Sequence, residues 1–193
     1  MPVRNRRTVN RSNLFGVAAS IPQEDSVPTS KRHVPLSALL VLASLPALSQ
    51  TARTTGESVR GHFASLNAHI LTMAKDFPED KYEFKLKPEM RSFREVLVHI
   101  AGGNVYAAKA GRGEKVSWDD LDPKDYPNKA AVVAMMEKTI ADANATLKSM
   151  PDAALAQSVE PWISVIEHSA EHYGLLIAYY RANGLVPPQS RPK

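Results

Sequence analysis

From Val59 to Phe77 the apolar residues Val59, Phe63, Leu66, Ile70, Met73 and Phe77 recur at alternating steps of four and three. At about 3.6 residues per helical turn this spacing puts all six on one stripe, which is stable only when another element covers it. The same rhythm returns at Val132, Met136, Ile140, Ala143, Leu147 and Met150. Period-two alternation is confined to Tyr82, Phe84 and Leu86, and Pro88 cuts that run short. The fold class that follows is all-α.

Start and stop signals divide the chain after residue 50 into four helices. The first spans about Thr51 to Asp76 and ends at Pro78; residues 79–90 form an extended crossing segment. Ser92 with Glu95 three residues on has the form of a capping box, opening a second helix that runs to about Ala110. Gly102 and Gly103 inside it each cost about 1 kcal/mol relative to alanine, so their expected use is to admit another backbone or a ligand. Asn128 caps a third helix that Pro151 ends, and Pro161 opens a fourth that stops at Asn183-Gly184 before Pro187-Pro188. Unequal connections predict a four-helix bundle with long crossover loops over residues 50–193.

The amino-terminal quarter differs in composition. Residues 1–30 show no sustained period and are expected to be disordered. Lys31-Arg32-His33, an apolar run from Leu36 to Leu45 and Pro46-Ala47-Leu48-Ser49 then follow the order of a signal peptide, although some thirty residues from the first methionine. Segment 31–49 therefore predicts an exported, periplasmic protein; the alternative is a cytoplasmic one with an apolar helix packed on the domain. The run is too short for a stable membrane span, which takes roughly 20 apolar residues.

The net charge of +4 sits entirely in residues 1–49, and acidic and basic residues balance beyond them. Interleaved pairs such as Arg94/Glu95 and Lys124/Asp125 describe a solvated surface, and no nucleic-acid partner is expected. Cysteine is absent, which excludes disulfides, thiolate ligands and a cysteine nucleophile.

His168 and His172 lie one turn apart on the fourth helix, on the stripe Val165, His168, His172, Leu175 and Tyr179. A second apolar stripe covers most of the rest of that helix, so both rings are expected inside the core, where an unpaired imidazole is costly. Two imidazoles so spaced can share a metal ion if a third protein ligand comes from elsewhere. His99, beside the glycines of the second helix, is the best placed; His62 and His69 flank the first stripe and read as partly exposed surface. The bland reading has all three core histidines satisfied by hydrogen bonds alone. Glu95 and Glu171 are weak candidates for a general base or for orienting a ligand, since both are more often solvent-facing ion-pair partners. Trp118 and Tyr126, in the loop Arg112–Pro127, either wall a pocket or tuck onto the bundle, and the second is expected.

The segments Pro88-Glu-Met-Arg-Ser-Phe-Arg-Glu-Val-Leu-Val-His-Ile-Ala-Gly-Gly-Asn104 and Glu167-His-Ser-Ala-Glu-His-Tyr-Gly-Leu175, with Asn183-Gly-Leu-Val-Pro-Pro188, resemble the DinB/YfiT superfamily over roughly residues 55–190. The resemblance implies a four-helix bundle holding a divalent metal, zinc or nickel, through three histidines that map onto His99, His168 and His172. Members include thiol-dependent S-transferases and a maleylpyruvate isomerase, so the implied partner is a small molecule, a thiol among the options. Two functions stay open at this point: a metal-dependent transferase or hydrolase, and a non-catalytic bundle stabilised by its ion. A homodimer through exposed helix faces is also open, with no feature fixing it.

Overall fold

The computed structural model describes residues 53–118 and 121–192. The extension 1–30 and the signal-like segment 31–49 lie outside the described residues. Five α-helices follow in order: α1 (Thr55–Asp76), α2 (Phe93–Gly111), α3 (Lys129–Ser149), the short α4 (Asp152–Gln157) and α5 (Glu160–Ala182). Among the described residues there is no strand, only a single bridge between Lys85 and Ser92, and no helix is long and apolar enough to cross a membrane.

The ends of the helices are set by local chemistry. Thr54 and Glu57 form a capping box on α1, so that helix begins at Thr55 rather than Thr51. Ser92 and Glu95 do the same for α2, and the Asn128 side chain accepts from the Ala131 N–H at the start of α3. At the end of α5, Gly184 takes a φ of +69°, and the Leu185 N–H reaches back to the Tyr180 carbonyl at 2.9 Å. That arrangement satisfies carbonyls the helix leaves over.

Helices α3 and α5 each pack against both α1 and α2, so α1 and α2 face one another across the bundle. A buried hydrogen bond from Asn104 Nδ2 to Asn67 Oδ1, 2.9 Å, links this diagonal pair. The expected stripes supply the core: Val59, Phe63, Ile70, Met73 and Phe77 from α1, with Val132, Met136, Ile140, Ala143 and Leu147 from α3. The diagonal steps α1 to α2 and α3 to α5 need long connections, as expected. The second of them contains α4, where the residue pattern predicts only a link. Arg60 of α1 holds it in place, donating to Asp152 at 2.7 Å and to the Leu147 and Met150 carbonyls at the end of α3.

Candidate metal centre

On α5 the face that enters the core consists of Trp162, Val165, Ser169, Leu176, Tyr179 and Tyr180. His168 and His172 are half-buried on the flank of that face, which corrects the expectation of fully enclosed rings. Both stripes of α5 are largely apolar, and packing against α1 and α2 turns the helix so that the bulky aromatics go inward.

That rotation brings the two rings against His99 of α2. Ring centroids lie 4.7 Å apart for His99–His168, 4.8 Å for His99–His172 and 4.3 Å for His168–His172. One ring nitrogen from each lies within 4.8 Å of the other two, and the Nε2 atoms of His99 and His168 are 2.9 Å apart. His172 places Nδ1 2.9 Å from the His168 carbonyl oxygen. A carbonyl only accepts, so Nδ1 carries the proton and Nε2 presents a lone pair. Burial pushes the His172 imidazole below its ordinary value; the bond to the His168 carbonyl opposes the shift, and His99 and Arg91 reinforce it. The ring is therefore neutral near pH 7, the form a metal requires.

Among the described residues, two clefts reach the trio from the segment preceding α2. One of about 320 Å³ is lined by Lys85, Glu89, Arg91 and Glu95 and ends on His99. The other, about 460 Å³, shares Glu89 and Arg91 and ends on His172. The base of the segment between them is closed by Phe93 N–H to the Phe84 carbonyl, 3.1 Å, and Arg94 N–H to the Tyr82 carbonyl, 2.9 Å. The Tyr179 hydroxyl of α5 donates to the Arg91 carbonyl. The dividing wall is thus anchored to both histidine-bearing helices.

Of the two carboxylates singled out from the sequence, Glu95 lines the cleft at His99 and Glu171 is exposed. Glu95 accepts the Ser92 N–H at 2.6 Å and lies 3.5 Å from Lys85 Nζ. The Ser92 N–H holds its carboxyl below the ordinary range against the opposing effect of burial, and Lys85 adds to the lowering. Its contacts fix the start of α2, and through it the height of His99. His62 is exposed and His69 half-buried beside Tyr173, outside the cluster as expected.

Trp118 tucks onto the bundle and also touches the site. Its ring lies 4.8 Å from Tyr106 and 4.8 Å edge-on from His168. Gly103 leaves room for it: a Cβ there would stand 2.9 Å from the indole Cζ2 and 3.0 Å from Val165 Cγ2. The space that glycine opens is filled by side chains rather than by a backbone or a ligand. Lys85, Glu89 and Arg91 join the site without having been singled out by their sequence pattern. Their only signal is charge clustered just ahead of the capping box of a histidine-bearing helix.

A family model described as the DinB superfamily matches residues 43–180. The chain belongs to the DinB superfamily. No curated protein matches it. The helical bundle and the meeting of His99, His168 and His172 accord with that membership and are compatible with metal binding.

Proposed function

We propose that His99, His168 and His172 hold a divalent metal ion, zinc or nickel, in a metal-dependent transferase or hydrolase acting on a small molecule, a thiol among the candidates. The observation that carries this reading is the convergence of three ring nitrogens from two helices within 4.8 Å. The donor set fits. Three neutral imidazoles suit zinc and nickel, and nitrogens at about 2.0–2.1 Å from a tetrahedral ion stand about 3.3 Å apart, a few tenths of an ångström beyond the 2.9 Å between His99 and His168. When bound, such an ion supplies a Lewis-acid centre that lowers the pKa of a water or thiol brought against it.

The chain's own groups support the reading in three ways. The His168 carbonyl fixes the tautomer of His172, Glu95 fixes the start of α2, and Tyr179 fixes the wall between the clefts. Binding pockets for small molecules start at about 300 Å³, so clefts of about 320 and 460 Å³ suit compact reactants. Those two openings favour a catalytic site over an ion that only closes the core. The N-terminal segment 31–49 adds a proposed export signal, tested by fractionating cells that express the full chain.

Elemental analysis of the purified protein is the direct test. One equivalent of zinc or nickel, lost in His168→Ala, is the expected result. A protein without divalent ion, whose melting temperature His168→Ala leaves unchanged, overturns the reading.

A further inference from the structure

His168 differs from its two partners in what covers it. His99 opens on one cleft and His172 on the other, and His168 lines neither. Against its ring stands the indole of Trp118 in a T-shaped contact, centroids 4.8 Å apart and planes at 65°. The indole also packs on Tyr106, at 4.8 Å and 30°. Beneath it α2 is bare at Gly103, the residue type that leaves the six-membered ring of the indole its place: a Cβ would meet Cζ2 at 2.9 Å and Cη2 at 3.2 Å. Gly103 stands one helical turn after His99, so the same turn of α2 supplies a ligand candidate and the floor for the indole.

A buried glycine in mid-helix is costly, and here the space it leaves serves to bring an aromatic plate against one histidine. An aromatic ring in that position excludes water and restricts rotation of the imidazole, two effects that decide how many ligands an ion beside it can gather. We propose that Trp118 is a positioning residue that covers the His168 side of the metal site, so that exogenous ligands reach the ion through the clefts at His99 and His172 and its coordination number stays low. This rests on the metal reading given above.

Cobalt(II) titration of the full chain tests it, because the visible spectrum of that ion reports coordination geometry independently of turnover. The wild type is expected to bind one equivalent and to show the strong visible bands of a four-coordinate ion. In Trp118→Ala the equivalent is retained and the bands weaken several-fold as water enters; Trp118→Phe keeps an aromatic plate and restores most of the intensity. Gly103→Ala lifts the indole while leaving it in the chain, and weakens the bands in the same direction. If Trp118→Ala does not fold, the Gly103→Ala spectrum decides alone. Bound cobalt with unchanged bands in the alanine variants, or weak six-coordinate bands already in the wild type, overturns the role of Trp118 and leaves the metal site standing. A wild type that binds no cobalt overturns both.

Discussion

Helix α5 treats its polar side chains differently in its two halves. Toward the C-terminus, Tyr180 donates to the Met73 carbonyl at 2.9 Å and lies 3.1 Å from Asp76 Oδ2, while Tyr179 donates to the Arg91 carbonyl. Burial pushes the phenols of Tyr82, Tyr179 and Tyr180 upward, so they remain neutral donors. Phe77 and Phe93 stack at 3.9 Å between these rings. Further back along the helix, Trp162 Nε1 and Ser169 Oγ are buried without a hydrogen-bond partner, as is Asn104 Oδ1 on the facing helix. The C-terminal half uses its polar groups to tie α5 to α1 and to the segment that precedes α2. The N-terminal half tolerates imperfect polar packing where the helix turns His168 and His172 toward His99, as expected when a site rather than stability sets the side chains.

If the aromatic end anchors the bundle, Phe93→Ala should do the greatest damage. Phe93 is fully enclosed, and truncation of such a ring costs about 3–5 kcal/mol, read as a lower denaturant midpoint at unchanged slope. A smaller loss should come from stripping the ion. An ion present at a hundred times its dissociation constant stabilises by about 2.7 kcal/mol, so a chelator should lower the melting temperature of the wild type and leave His168→Ala unmoved. Should the chelator exceed Phe93→Ala in effect, the anchoring role would pass from the tyrosine end to the metal centre.

Smaller changes set the two halves against each other directly. Tyr180→Phe removes a satisfied hydroxyl, while the Met73 carbonyl keeps the bond it accepts from the Phe77 N–H, for a loss of about 1 kcal/mol. Ser169→Ala removes a hydroxyl that has no partner, and unfolding in urea should show a gain of about 1 kcal/mol. Equal losses from both would mean that Ser169 is as well satisfied as Tyr180, and the contrast would fail.

The sequence discloses these halves unevenly. Caps such as Ser92 with Glu95, Asn128 and the stop at Gly184 are legible because each involves partners within a few residues. The Thr54–Glu57 box has the same form, yet a stripe starting only at Val59 leaves the beginning of α1 open. The histidine trio is legible because His168 and His172 stand one turn apart on one face and His99 lies beside the glycines of a helix expected to come near them. Which way α5 turns is not, since Trp162, Ser169 and Leu176 compete with His168, His172 and Leu175 for the core on nearly equal terms. Nor is α4: a helix of six residues is not stable alone, and Arg60, 92 positions from Asp152, carries no local sign of holding it. The fit of Trp118 over Gly103 is likewise a product of tertiary packing, visible beforehand only as an unexplained glycine in a helix.

The least effect is expected where the anchored end meets solvent. Arg191 donates to both carboxylate oxygens of Asp76, at 2.9 and 2.6 Å, and this bond is the main reason the Asp76 carboxyl titrates below its ordinary value, burial opposing it and Tyr180 assisting. A lowered carboxylate binds fewer protons folded than unfolded, so its contribution is complete above the unfolded value near 3.9 and disappears as pH falls through the lower folded value. Asp76 is about a third exposed, at 31 %, and such pairs are screened; Arg191→Ala should therefore lower the melting temperature by about 2 °C or less near neutral pH. The Tyr180 hydroxyl still lies 3.1 Å from Asp76 Oδ2 in that variant and can turn its hydrogen to it, which keeps part of the shift. The lowered His172 imidazole adds an acid loss of stability below about pH 6.5, but wild type and variant share it, so it cancels in their difference. A difference that narrows only below about pH 4 assigns the effect to Asp76, whereas one that already narrows between about pH 7 and 5 would tie the tail of the chain to the histidine centre and join the two halves of α5 that the other predictions separate.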